Sequence, residues 1–145
     1  MDMNGFGRIS CPHRRRSKGS VAMNSILWVI QGLLALLFLF VGLTKAFFPL
    51  PAVKKNFPWS NHVPAALVRF IGVSELLGGI GLILPAVTHI LPWLTVAAAI
   101  GLTLVMISAA MFHASRREFS MIGFNIVLLL LAAFVVVGRV TLAPF

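Results

Sequence analysis

Glu75 is the one carboxylate inside the four long apolar runs of this chain, and it stands near the middle of its run. An ionised acid at the centre of a bilayer costs about 3 kcal/mol on insertion scales, so such a side chain must be protonated, paired or facing water. Candidate partners are Lys45 near the end of the first run, Arg69 in the opening turns of the second, His113 at the end of the third and Asn125 about one turn into the fourth. Ser74 adjoins the acid and joins the candidate set. Arg69 is six positions away on the same helix, a poor intrahelical pairing, and at about 1.5 Å rise per residue it sits roughly 9 Å shallower. Lys45, His113 and Asn125, on neighbouring helices, are the better-placed partners. A cluster of this kind can hold a small polar group, pass a proton, or fix the register of the helices.

The elements that position these residues are legible in the apolar text. The runs extend from Ile26 to Phe48, Ala65 to Leu84, Leu91 to Phe112 and Met121 to Val137, each about the 17 to 25 residues a helix needs to cross a hydrocarbon core. Pro49 and Pro51 follow the first, Pro64 and Pro85 bracket the second, and Pro92 opens the third, which reads as helix punctuation at the run boundaries. Trp28, Trp59 and Trp93 fall at run ends or in a loop, where an indole favours the membrane interface. The expected fold is all-α, a polytopic membrane protein with an antiparallel four-helix bundle and helices near 24–48, 64–85, 92–113 and 120–141.

Helical spacing gives each helix one stripe suited to the bundle interior. Gln31, Ala35, Phe38, Gly42 and Lys45 share a face of the first helix, Ala99, Thr103, Met106, Ala110 and His113 of the third, and Glu118, Asn125, Ala132 and Arg139 of the fourth. Beside Glu75 the same-face residues Gly72, Gly78 and Gly79 allow a partner helix to approach closely. Arg69, Arg116 and Arg117 also suit snorkelling to headgroups, with His113 interfacial beside them. Ile71-Gly72-Val73-Ser74 and Ile122-Gly123-Phe124-Asn125 form a weak internal echo, which would make the bundle two duplicated hairpins.

With 145 residues, 59% hydrophobic, 10% charged and a mean hydropathy of +1.00, the chain has more apolar surface than a soluble domain of this size can bury. The formal charge of +9 comes largely from Arg8, Arg14, Arg15, Arg16 and Lys18 in a segment spanning 1–22, expected to be a disordered tail ahead of a 23–142 membrane domain. Met23-Asn24-Ser25 would make an alternative start and helix cap. With the tail, its basic residues and Arg139 would hold both termini in the cytoplasm; without it, Lys54, Lys55, Arg116 and Arg117 would draw the first and third loops inside instead. Anionic lipid headgroups, not nucleic acid, are the expected partner of this charge. Cys11 has no CxxC partner, His62 and His89 lie in loops on opposite sides, and no metal site, phosphate loop or nucleophile motif is expected.

Gly42-Leu43-Thr44-Lys45, the helix from Arg69 through Glu75 to Gly79-Ile80-Gly81 and Pro85, His113 with Arg116-Arg117-Glu118, Asn125 and Gly138-Arg139 together resemble the DoxX-like family of small four-helix membrane proteins. The resemblance covers about residues 23 to 140. It implies a multi-pass protein of the bacterial inner membrane linked to redox chemistry, relatives being described as subunits of a thiosulfate-quinone oxidoreductase or of oxidative-stress complexes. The expectation is therefore an accessory subunit of a membrane oxidoreductase, with no intrinsic cofactor, in which Glu75, Lys45 and His113 contact a quinone headgroup or relay a proton beside a redox partner subunit. The alternative is a structural or assembly factor whose polar cluster only specifies packing. A small transporter would require a homo-oligomer, because four helices leave little room for alternating access.

Overall fold

A computed structural model describes residues 18–144. Four helices carry the fold: α1 (Lys18–Phe47), α3 (Ala65–Thr88), α4 (Trp93–Ser115) and α5 (Phe119–Val137), with a short α2 (Leu50–Asn56) between the first two. A 3-10 turn, Pro58–His62, follows α2, and α5 runs on into a π turn, Gly138–Leu142. No strand occurs among the described residues. The four long helices are long and apolar enough to span a membrane. Their outward faces carry Phe40, Phe70, Leu36 and Met111, each more than two-thirds exposed. Water would not tolerate so continuous an apolar surface; lipid tails do.

Three boundaries differ from the sequence expectation. Residues 18–22, assigned to the tail, form the first turns of α1, and Asn24 lies inside that helix instead of capping it. The rest of the expected tail, with Cys11, lies outside the described residues. Pro85 falls within α3, which continues to Thr88. A proline in the last turn forfeits only its own N–H, so the helix survives it, and the end is made by His89, whose φ of 56° is the left-handed cap conformation. Finally, residues 50–62 are not an open loop but a folded flap of α2 and the 3-10 turn.

Helix α1 packs along α3, α3 along α4 and α4 along α5, so the chain goes round the bundle and α5 returns to α1. The apolar core lies at mid-depth, with Phe38 and Leu34 of α1 facing Leu82, Leu102, Ala132 and Val135. The interior stripe of α1 holds in full, Gln31, Ala35, Phe38, Gly42 and Lys45 all being buried. The others hold in part: Ala99, Met106 and His113 are buried on α4 with Thr103 and Ala110 half-buried, and Asn125, Ala132 and Arg139 are buried while Glu118 stands half-buried ahead of α5. The internal echo does not extend to packing. A Cβ on Gly72 would lie 2.7 Å from the backbone nitrogen of Ala46, whereas one on Gly123 would meet nothing within 4 Å.

Candidate functional site

The site begins with two glycines. On α1, Gly42 and Lys45 are three apart and share a face; on α3, Gly72 and Glu75 do the same. A Cβ at Gly42 would stand 2.6 Å from the Leu76 backbone nitrogen, and one at Gly72 would stand 2.7 Å from Cβ of Lys45. The bare glycine surfaces therefore bring the two backbones together and let the lysine side chain cross α3 to the acid. Lys45 Nζ donates to both carboxylate oxygens of Glu75, at 2.8 and 2.9 Å. Both residues are buried, at 6% and 3% exposure. Each charge is answered by the other, which is the condition for holding either one at this depth.

Arg69 does not pair with Glu75 and does not reach for headgroups. Its guanidinium donates to the carbonyls of Lys45, at 2.8 Å, and Phe48, at 2.7 Å, which have no helical N–H to accept from beyond the break at Pro49. Arg69 thus ties off α1 at the residue whose side chain carries the ion pair. Ser74 lies outside the cluster, its hydroxyl donating to the Phe70 carbonyl of its own helix. Gly78 and Gly79 are packing positions, as their spacing suggested: a Cβ on the first would meet Leu102 of α4, and one on the second would meet the Ala35 carbonyl of α1.

Over the ion pair lies the flap. Lys45 Nζ sits 5.2 Å from the ring centroid of Phe57 and 5.3 Å from that of Trp59, within range of cation–π attraction. Trp59 meets His113 edge-on at 6.2 Å, so the indole expected at the lipid interface is instead a roof tile of the site. His113 Nδ1 lies 2.5 Å from Glu118 Oε2, and Arg116 Nε donates to Glu118 Oε1 at 2.8 Å. Glu118 lies in the turn outside the spans, and hydrogen bonds from Arg116 and then His113 hold its carboxyl below the usual carboxylate range. Among the described residues no group of His, Cys, Asp and Glu is arranged to hold a metal ion.

Beneath the flap is a cavity of about 510 Å³. Lys45, Glu75, His113 and Asn125 all line it, so the structure gathers those four predicted residues and omits Arg69 and Ser74. The remaining wall is apolar, with Phe38, Phe70, Phe112, Phe124 and Met106 among its members. Phe70 and Phe124 are also exposed on the outer face of the bundle, at 69% and 53%. These two residues therefore belong both to the cavity wall and to the outer surface of the bundle.

A second polar cluster, unforeseen as such, closes the opposite end of the bundle. Arg139, read as a topogenic charge, is buried. Its Nε donates to Gln31 Oε1 at 2.6 Å and its Nη1 to Asn24 Oδ1 at 2.7 Å, while Gln31 Nε2 donates to the Leu82 carbonyl at 2.8 Å. The guanidinium lies 5.3 Å from the Trp28 ring centroid. Gln31 and Arg139 were each on an interior stripe; that common burial was the available signal for their pairing.

A family model described as the DoxX-like family matches residues 29–135. The chain belongs to the DoxX-like family. Neither a curated protein nor a solved structure matches it. The match takes in Lys45, Glu75, His113 and Asn125 with the whole flap and cavity, and it stops before Arg139.

Proposed function

We propose that this DoxX-like membrane protein binds a small, largely apolar molecule from the lipid phase in the cavity beneath the flap, and serves as an accessory subunit of a membrane oxidoreductase for which that molecule is a quinone. The observation that carries the reading is an apolar cavity with one mutually satisfied Lys45–Glu75 pair in its wall. A site for a drug-sized ligand has this make-up: a mostly apolar lining and a few placed polar groups. Aromatic rings from the flap, α3, α4 and α5 suit a flat conjugated head, and the ammonium and carboxylate suit its polar edge or the passage of a proton. The same pair also favours the structural alternative, since it pins α1 against α3 in one register. In that case the cavity would hold only lipid. Native extraction into nanodiscs followed by mass spectrometry separates the two readings. A co-purifying quinone and a redox-active partner subunit are expected; a preparation holding only bulk phospholipid and no partner would contradict the proposal. The bacterial inner membrane is the proposed location, and anionic headgroups the proposed surroundings of the exposed Lys54, Lys55 and Arg117.

A further inference from the structure

Most polar side chains of the cavity wall are already engaged. Lys45 and Glu75 hold each other, His113 is bound to Glu118, and the Ser108 hydroxyl donates to the Leu104 carbonyl at 2.9 Å. Two groups are not: the indole N–H of the half-buried Trp59, which can only donate, and the carboxamide of Asn125. Asn125 is 8% exposed and lines the cavity, and its carboxamide has no hydrogen-bond partner among the described residues. An amide in an otherwise apolar wall with neither its donor nor its acceptor engaged within the protein is available to a guest. Unlike Lys45 and Glu75, it carries no charge, and unlike Trp59 it offers both a donor and an acceptor.

From this arrangement we infer that Asn125 reads the head of the ligand, and that the cavity selects an uncharged membrane amphiphile bearing a carbonyl, hydroxyl or amide over one ending in an anion or a cation. The inference rests on the cavity being a ligand site. The reasoning is electrostatic. The Lys45–Glu75 pair is neutral as a unit and each member is spent on the other, so a charged head would enter an apolar space without a counter-ion, or would have to break the pair and strand one of its charges. A neutral head needs only a donor or an acceptor, and the carboxamide offers both. An amide left unengaged in an apolar wall calls for an explanation, and a guest in the cavity supplies one.

The test uses the full chain in nanodiscs with Trp28→Phe and Trp93→Phe, leaving Trp59 at the cavity as the fluorescent reporter. Three dibrominated octadecyl probes differing only in the head, a primary amide, a primary ammonium and a sulfonate, are titrated as quenchers at neutral pH. The amide is expected to quench with an apparent affinity at least tenfold tighter than either charged probe. Asn125→Leu should bring the amide to within twofold of the charged probes; Asn125→Gln, which keeps the carboxamide, should retain most of the preference. Equal quenching by all three heads, or unchanged amide affinity in Asn125→Leu, would overturn the assignment while leaving the cavity as a ligand site. Absence of saturable quenching by any probe would overturn both.

Discussion

At the scale of single residues, the Lys45–Glu75 pair makes the sharpest demand. Removing one partner leaves the other charged and buried, which typically costs about 3 to 5 kcal/mol, whereas replacing both by apolar residues is often neutral or better. Lys45→Met or Glu75→Leu alone should therefore lower the thermal unfolding midpoint in nanodiscs strongly, and the double variant should recover most of the loss. A double variant as unstable as the sum of the singles would show that the two residues act apart. Glu118 supplies a pH signature outside the spans. Because hydrogen bonds from Arg116 and His113 depress its folded pKa, its contribution to stability is complete above the ordinary carboxylate value of about 4.3 and is lost as pH falls through the lower folded value. The melting difference between wild type and Glu118→Gln should thus persist at pH 6 and close toward pH 3; a gap that widens on acidification would contradict the pairing. Glu75 was legible from the sequence because an acid in an apolar run needs a partner, and the stripe ending in Lys45 supplied one. The destination of Arg69 was not, because a side chain that serves backbone carbonyls leaves no pattern in residue types.

At the scale of elements, the contact between α1 and α3 is set by backbone proximity. Gly42→Ala would place a methyl 2.6 Å from the Leu76 nitrogen, and overpacking of this kind costs about 1 to 3 kcal/mol. The variant should lose stability and weaken the effect of a second change at Glu75, measured as a double-mutant cycle. Gly123→Ala, with nothing within 4 Å of the added carbon, should be neutral or stabilising by up to about 1 kcal/mol through helix propensity. Equal losses at the two positions would remove the argument for close approach. The four spans were readable because an apolar run of this length has one use in a membrane. The flap was not: residues 50–62 contain two prolines, two lysines and two aromatics, a composition that reads as an interfacial loop until Phe57 and Trp59 are found over Lys45. The Pro85 boundary failed for a related reason, since a proline near a helix end is tolerated from either side of it.

At the scale of the whole molecule, the bundle is closed at one end by Arg139, Gln31 and Asn24 and hollow at the other, where the ion pair, the flap and Asn125 surround a largely apolar space. That polarity makes the protein a scaffold with a site at one end. The interior stripes revealed which residues face inward, but space between them depends on how far helices splay, which no periodicity records. The central claim is that this space takes up a ligand from the lipid, and the direct measurement is quenching of Trp59 by a short-chain quinone in nanodiscs containing the Trp28→Phe, Trp93→Phe chain, with and without Ala109→Phe, which adds a ring to the cavity wall. The account predicts saturable quenching in the parent and its loss in the filled variant. Quenching that rises linearly with quinone and is the same in both would mean simple partition into the bilayer, and would contradict it.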